Sequence, residues 1–303
     1  MMSSTRRPSR RPLLLLSLVL LSSLAAAQGV TVSDDLGREI RLDETPKRIV
    51  SLAPSHSESV CAVASCDLLV AVDSNTDFPE EIADLPRVGN AFAPDIEAIV
   101  ALEPDLVLAD EYSGVHEALQ RLGVTVYAGT PQTVEETLAY FTTLGVIFDE
   151  SERAAELSAS IEASFEAVGE ALEGVARPRV FIELDPTPYS AGPNSFIGTL
   201  LSRAGGDNIV TGDMGDFPQV APEFVVASDP EIILLTDAPF GESAASVAAR
   251  PGWASITAVR EDQVLELSVE QVNLLTRAGP RLAEAVELLV TLLHPELRLP
   301  ELP

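Results

Sequence analysis

Few residues in this chain are of a type that could carry a nucleophile, a general base or a soft metal. There are three histidines (His56, His116, His294) and two cysteines (Cys61, Cys66). Ser55, His56 and Glu58 bring together the three types used in acyl transfer, but neighbours this close cannot set nucleophile, base and orienting acid in line. The sequence also lacks a phosphate-cradling G-x-x-x-x-G-K, a G-x-G-x-x-G after its first strand, an H-E-x-x-H and a G-x-S-x-G elbow. No catalytic residue is therefore assigned, and the chain is not expected to be an enzyme. Cys61 and Cys66 stand five apart. In an oxidising compartment they read as a local disulfide, with free thiols as the alternative. A zinc site would need more ligands than a lone C-x4-C supplies, so no metal is assigned.

That compartment is implied by the first 27 residues. Four arginines precede an apolar run from Leu13 to about Leu24, and Ala25–Ala27 close it. This is the pattern of a cleavable export signal, too short to favour a permanent membrane span. No cysteine follows the run, so a lipid anchor is not expected and the mature chain reads as periplasmic. Formal net charge is −28 over 303 residues, and Lys47 is the only lysine. A surface this acidic repels nucleic acid and anionic lipid, which excludes both as partners.

Candidate residues must be positioned by elements, and the elements alternate. "VTVSDDLGREIRLD" reads as a hairpin turning at Asp35 to Gly37. "RIVSLAPS" is a buried strand, followed by a helix capped by Ser55 or Ser57. "LLVAVDS", "DIEAIVALEPDLVLAD" and "VHEALQRLGVTVYAG" continue the strand and helix alternation that marks a largely parallel sheet with helices on both faces. From Thr133 to Gly174 the pattern turns helical with one break near Phe148 to Ser151. A long amphipathic helix then begins with Ser151 as cap. Alternation resumes at "RVFIELD". "EAIVALEPDLVLAD" (Glu97 to Asp110) recurs as "EFVVASDPEIILLTD" (Glu223 to Asp237), with Glu, Pro and the following acid at one constant offset. The expected architecture is α/β. Two similar lobes, each with a parallel-rich central sheet flanked by helices, are joined by one long linker helix. The expected bounds are a signal at 1–27, an N-terminal lobe at 28–150, the linker at 151–176 and a C-terminal lobe at 177–303.

Loops at the C-terminal ends of parallel strands line the ligand crevice of open α/β sheets. His56 falls on one such turn, either as a ligand contact or as a residue that bonds its own loop. The other loops offer Asn75, Phe78, Phe92, Tyr112, Phe196, Phe217, Asn273 and Arg277. Aromatics mixed with amides and a single charge suit a bulky, mostly apolar ligand with polar edges.

Several stretches together, "DDLGREIRLDETPKRIVSLAPSHSESVCAVA", "DFPEEIADLPRVGNAFAPDIEAIVALEPDLVLA", "NSFIGTLLSRAGGDNIV", "FPQVAPEFVVASDPEIILLT" and "TRAGPRLAEAVELL", resemble the periplasmic binding proteins of cobalamin and ferric-siderophore ABC importers. The resemblance runs over essentially all of the mature chain. It implies two lobes bridged by a rigid helix, a ligand cleft between them, and one exposed glutamate per lobe, here Glu97 and Glu223, that pairs with arginines of a dimeric permease carrying ATPase subunits. It further implies a monomer that meets the membrane only through that permease and has no cofactor beyond the transported ligand. Cobalamin is the ligand expected first, since Phe92, Phe217 and Arg277 keep part of the cobalamin binders' pattern; Asn75 and Asn273 depart from it. A ferric siderophore or other metal chelate is the alternative. A secreted two-lobe sensor that kept the fold without transport stands as the reading from another class.

Overall fold

The computed structural model describes residues 29–303, and the expected export signal lies outside them. Among the described residues no helix is long and apolar enough to cross a membrane. Strands Val30–Ser33 (β1) and Glu39–Leu42 (β2) pair antiparallel around a turn in which Gly37 takes a φ of 72°. Then come Ile49–Ser51 (β3), helix Pro54–Val63 (α1) and Leu69–Ala71 (β4). A small hairpin of Gly89–Asn90 (β5) and Ala93–Pro94 (β6) precedes helix Ile96–Ala101 (α2) and Leu106–Ala109 (β7). His116–Arg121 (α3) and Val126–Ala128 (β8) complete this half. β4, β3, β7 and β8 form one parallel sheet in that spatial order. β3 and β7 are buried at every position, as strands covered on both faces must be.

Helices Val134–Phe148 (α4) and Ser151–Ala171 (α5) follow. The second half runs through Arg179–Asp185 (β9), Tyr189–Ser190 (β10), Phe196–Arg203 (α6), Asp207–Asn208 (β11), Pro222–Ser228 (α7) and Ile232–Leu235 (β12). Ala244–Ala248 (α8), Thr257–Arg260 (α9), Val264–Glu266 (β13), Val269–Thr276 (α10) and Leu282–Leu293 (α11) finish it. β9, β12 and β13 are parallel in that order. β11 and β10 both pair with β9, parallel at its start and antiparallel at its end. The order β4-β3-β7-β8 thus has a counterpart in β11-β9-β12-β13.

The repeated sequence motif has the same physical job in both halves. In the first, Arg48 at the head of β3 donates to the carbonyls of Leu102 and Glu103 at the end of α2, while the Asp105 carboxylate accepts from the Arg48 amide. In the second, Arg179 at the head of β9 donates to the carbonyl of Asp229 at the end of α7, and the Glu231 carboxylate accepts from the Arg179 amide. Arginine thereby satisfies carbonyls that a helix end leaves orphaned. The acid after the proline locks the central strand to its neighbour. Glu103 and Asp229, each just before that proline, both take a left-handed φ, 47° and 45°. Such a conformation is uncommon without glycine, and finding it at equivalent positions shows that the turn is built the same way twice.

Two helix starts differ from the sequence expectation. α1 begins at Pro54 with Ala53 as its cap, not at Ser55 or Ser57, because the proline ring presets the φ of a first helical residue. α5 has Ser151 inside its first turn and Glu150 before it, with no side-chain cap; the chain reverses through Asp149 in a left-handed conformation, which ends α4. α4 begins on Thr133, whose hydroxyl accepts from the Glu136 amide at 3.1 Å. The α4–α5 joint is tight: a Cβ on Gly145 would lie 2.7 Å from the Ala154 methyl.

α5 is 21 residues long, about 30 Å at 1.5 Å per residue. It packs on α1 and α4 from the first half and on α6 and α11 from the second. Ile161, Phe165 and Val168 on its inner face belong to one hydrophobic cluster that includes Ile49 and Leu106 of the first sheet and Val180, Ile182 and Ile232 of the second. Each half has a further core of its own on the outer face of its sheet. A cluster shared in this way should make unfolding one event. We expect calorimetry to show a single transition with matching calorimetric and van't Hoff enthalpies. Ile161→Ala should destabilise that transition as a whole by about 2–5 kcal/mol. Two resolved transitions, only one of which moves in the variant, would contradict the shared core.

Candidate ligand cleft

The parallel strands of both halves deliver their C-terminal ends to one cavity of about 440 Å³. Ala53, Pro54 and Ser55 follow β3, Asp110 follows β7, and Thr130, Pro131 and Gln132 follow β8. The second half contributes Leu184 at the end of β9, Phe196 and Ile197 at the start of α6, Phe217, and the Thr276–Ala278 corner between α10 and α11. Ser195 holds the start of α6 in place, its hydroxyl accepting from the Gly198 amide at 3.1 Å. The lining is largely apolar and aromatic, with a few hydroxyl and amide groups. Asp110 and Arg277 are its only charged members among the described residues.

Of the nine candidate contacts, Phe196, Phe217 and Arg277 line this cavity. Phe92, at the tip of the β5–β6 hairpin, is 88% exposed, and Tyr112 beyond β7 is also exposed. Asn75, Phe78 and Asn273 lie in a clasp joining the halves. The Asn273 side-chain amide donates to Asp77 at 2.8 Å, Arg277 donates to the Asn75 carbonyl at 3.2 Å, and the Arg281 guanidinium sits 4.1 Å over the Phe78 ring. The centre of the clasp is Glu58, buried on α1, which accepts from Arg277 at 2.9 Å and from two nitrogens of Arg281 at 2.9 and 3.0 Å. His56 is buried, not at the surface of its turn. Starting α1 at Pro54 puts His56 in the first helical turn, where Nδ1 pairs with the Tyr140 hydroxyl at 2.9 Å and Nε2 lies 3.6 Å from Asp110. With Glu58 held by two arginines and His56 by Tyr140, Ser55, His56 and Glu58 form no triad.

Sequence reasoning missed Asp110, Gln132, Leu184, Ile197, Arg281 and Phe240. Following the repeat three residues past Asp237 would have found one of them, Phe240. Past β7 the chain runs Asp110, a short 3-10 turn and Gly114 in the left-handed region; past β12 it runs Asp237, a short 3-10 turn and Gly241 in the same region. Tyr112 rides on the first turn and Phe240, 86% exposed, on the second. A disulfide ties Cys61, in the last turn of α1, to Cys66 just beyond the helix. Arg153 of α5 donates to the carbonyls of Ala64 and Cys61 there, which pins α1 to α5. Glu97 and Glu223 are both exposed, each the second residue of its helix. α2 and α7 run back along the central strand that follows them, so their N-termini lie at the cleft end of each half.

Residues 49–270 match a family described as periplasmic binding protein. The chain belongs to that family. It is 30% identical over 278 residues to an uncharacterized ABC transporter substrate-binding lipoprotein of Bacillus subtilis, covering 88% of this chain and 86% of that one. The crystal structure of a periplasmic vitamin B12-binding protein of Vibrio cholerae superposes with a TM-score of 0.68 at 27% identity, covering 82% and 97% of the two chains. A periplasmic heme-binding protein of Pseudomonas aeruginosa superposes with a TM-score of 0.72 at 26% identity, covering 85% and 96%. The expected α/β architecture is that of these periplasmic binding proteins, and the chain is a substrate-binding protein, not an enzyme.

One acid of this periplasmic binding protein is held far from its ordinary state. Both Asp237 oxygens are buried without a hydrogen-bond partner. Burial first, then the nearby Glu183 charge, push its pKa from 3.8 to about 7. Glu183 itself is matched by Arg250, which grips it through two bonds of 2.6 Å. Below pH 3.8 Asp237 is protonated whether the chain is folded or not. Between 3.8 and about 7 only the folded protein keeps the proton, so its contribution to stability is lost as pH rises through 7. Asp237→Asn should therefore raise the melting temperature most at pH 8, less at pH 5 and little near pH 3. An equal shift at pH 8 and pH 5 would show that Asp237 is ionised at both.

Proposed function

We propose that this chain is the substrate-binding component of an ABC importer and that the ligand in its cleft is a corrinoid. The observation that carries the ligand reading is the lining. Phe196, Phe217, Ile197 and Leu184 offer a broad apolar surface, while Thr130 and Gln132 offer hydroxyl and amide groups at its edge. A corrin ring has a large apolar face and an amide rim, and those two surfaces meet their counterparts here. The resemblance to a vitamin B12-binding protein over most of both chains supports the same choice. A ferric chelate or heme is the rival, and an anionic chelate would want several free arginines. The arginine at this cleft is Arg277, and it is bonded to Glu58 and Asp77.

Delivery is assigned to Glu97 and Glu223. A twofold permease needs one docking charge on each half, and the internal repeat places one exposed carboxylate at the cleft end of each. A partner that seats on both would stand over the cleft mouth. Phe92, Tyr112 and Phe240 are exposed aromatics on loops of the two halves, and we assign them to the outer edge of the ligand.

Titration calorimetry with cyanocobalamin should give one-to-one binding below micromolar. Phe217→Ala should weaken it about tenfold to a hundredfold, the loss expected for an aromatic anchor. Binding of ferric citrate or hemin with silence toward cyanocobalamin would move the ligand to the rival class. Glu97→Arg with Glu223→Arg should abolish uptake in cells and leave the titration unchanged; undiminished uptake in the double variant would remove the docking role.

A further inference from the structure

Arg277 is the sole basic side chain lining the cleft among the described residues, and it is already spoken for. Nη1 donates to Glu58 at 2.9 Å and to Asp77 at 2.5 Å, and Nη2 donates to the Asn75 carbonyl. Arg281 adds two more bonds to Glu58, through Nε at 2.9 Å and Nη2 at 3.0 Å. Two arginines from the second half thus face two carboxylates from the first, and the formal charges of the group cancel. Among the described residues Asp110 is then the one charge lining the cavity without an arginine or lysine beside it, so an anionic ligand meets a neutral clasp and a negative floor. Arg277 could give its full charge to such a ligand only by loosening its bonds to Asp77 and to Glu58, whose side chain is 1% exposed. Loosening one cation from a buried carboxylate costs free energy even though the second, Arg281, stays on it.

We propose that Glu58 and Asp77 act as a charge filter on the ligand, withholding Arg277 so that the cleft accepts neutral, amide-rimmed chelates and refuses anionic ones. This rests on the chain being a ligand-binding component, and it adds the residues that set which charge class the cleft admits. Glu58 and Asp77 are positioning residues in this role, since they act through Arg277. Neither Glu58→Gln nor Asp77→Asn changes side-chain size appreciably, and each leaves the clasp with one net positive charge at the cavity wall.

The test is titration of wild type, Glu58→Gln and Asp77→Asn with cyanocobalamin as the neutral probe and ferric citrate as the anionic one, at low and high salt. Wild type should ignore ferric citrate. Each variant should bind it at least tenfold more tightly than wild type, with the gain shrinking as salt screens the exposed charge, while cyanocobalamin affinity moves less than threefold. A structural role alone would not create salt-sensitive binding of a new ligand. If Glu58→Gln fails to fold, Asp77→Asn decides alone, because that carboxylate is 55% exposed and its loss leaves the buried pair intact. Folded variants that still refuse ferric citrate overturn the filter and leave the corrinoid reading standing. Wild type binding ferric citrate as tightly as the variants overturns the filter as well. Gain of ferric citrate binding in the variants, with no cyanocobalamin binding by any of the proteins, upholds the filter and overturns the corrinoid reading.

Discussion

Ile161, Phe165 and Val168 on the inner face of α5 are buried among side chains that come from both sheets, and the cleft exists because of that contact. Two α/β halves joined by an extended linker would each bury their own core and move independently, as domains with small polar interfaces do. Here α5 packs on α1 and α4 on one side and on α6 and α11 on the other, so the halves share hydrophobic surface that neither could expose without large cost. The strand ends are thereby held facing one another. Glu58 with Arg277 and Arg281 adds a second tie near the cleft, and its bonds are charge-assisted and directional where those of the core are not.

Much of the fold was legible in the sequence because the forces that build it are local. Buried runs such as "LVLA" and "IILL" announce two-sided strands, and α5 shows its periodicity over its full length. The repeated Glu, Pro and acid announce two halves. Their deeper role, an arginine closing a helix end while an acid grips the arginine's own amide, needed three dimensions, because Arg48 and Asp105 meet only once the strands pair. The sequence suggested two lobes joined by one long helix, and the cluster they share was invisible to it: an apolar residue does not declare which side of a helix, or which half of the molecule, its neighbours will come from.

The site was less legible, for a reason visible in single residues. Phe196, Phe217 and Arg277 sit where strand ends converge, and loop position found them. His56 was drawn from the same rule and lies beneath the floor instead, because one proline moved the helix start upstream and turned the imidazole inward toward Tyr140. Asn273 was read as a ligand contact and instead bonds Asp77, a partner far away in sequence. Side chains able to bind a ligand are equally able to bind each other across the gap between halves. Only the fold shows which pairing wins. Asp110 was missed although the repeat pairs it with Asp237, because an acid that ends a strand reads as a turn residue until the cavity beside it is seen.

The tie between the halves also bears on the kinetics of capture. With the two walls fixed by α5 and the clasp, an arriving ligand meets a finished site, and little of the interaction is lost to ordering the protein around it. Encounter then leads to capture without a slow rearrangement, and ligands that fit differ mainly in how long they stay. The same packing works against opening, because parting the halves would expose apolar surface that α5 now covers. Residence time is therefore built into the wall contacts, and shortening it requires an outside agent to do work against the shared core.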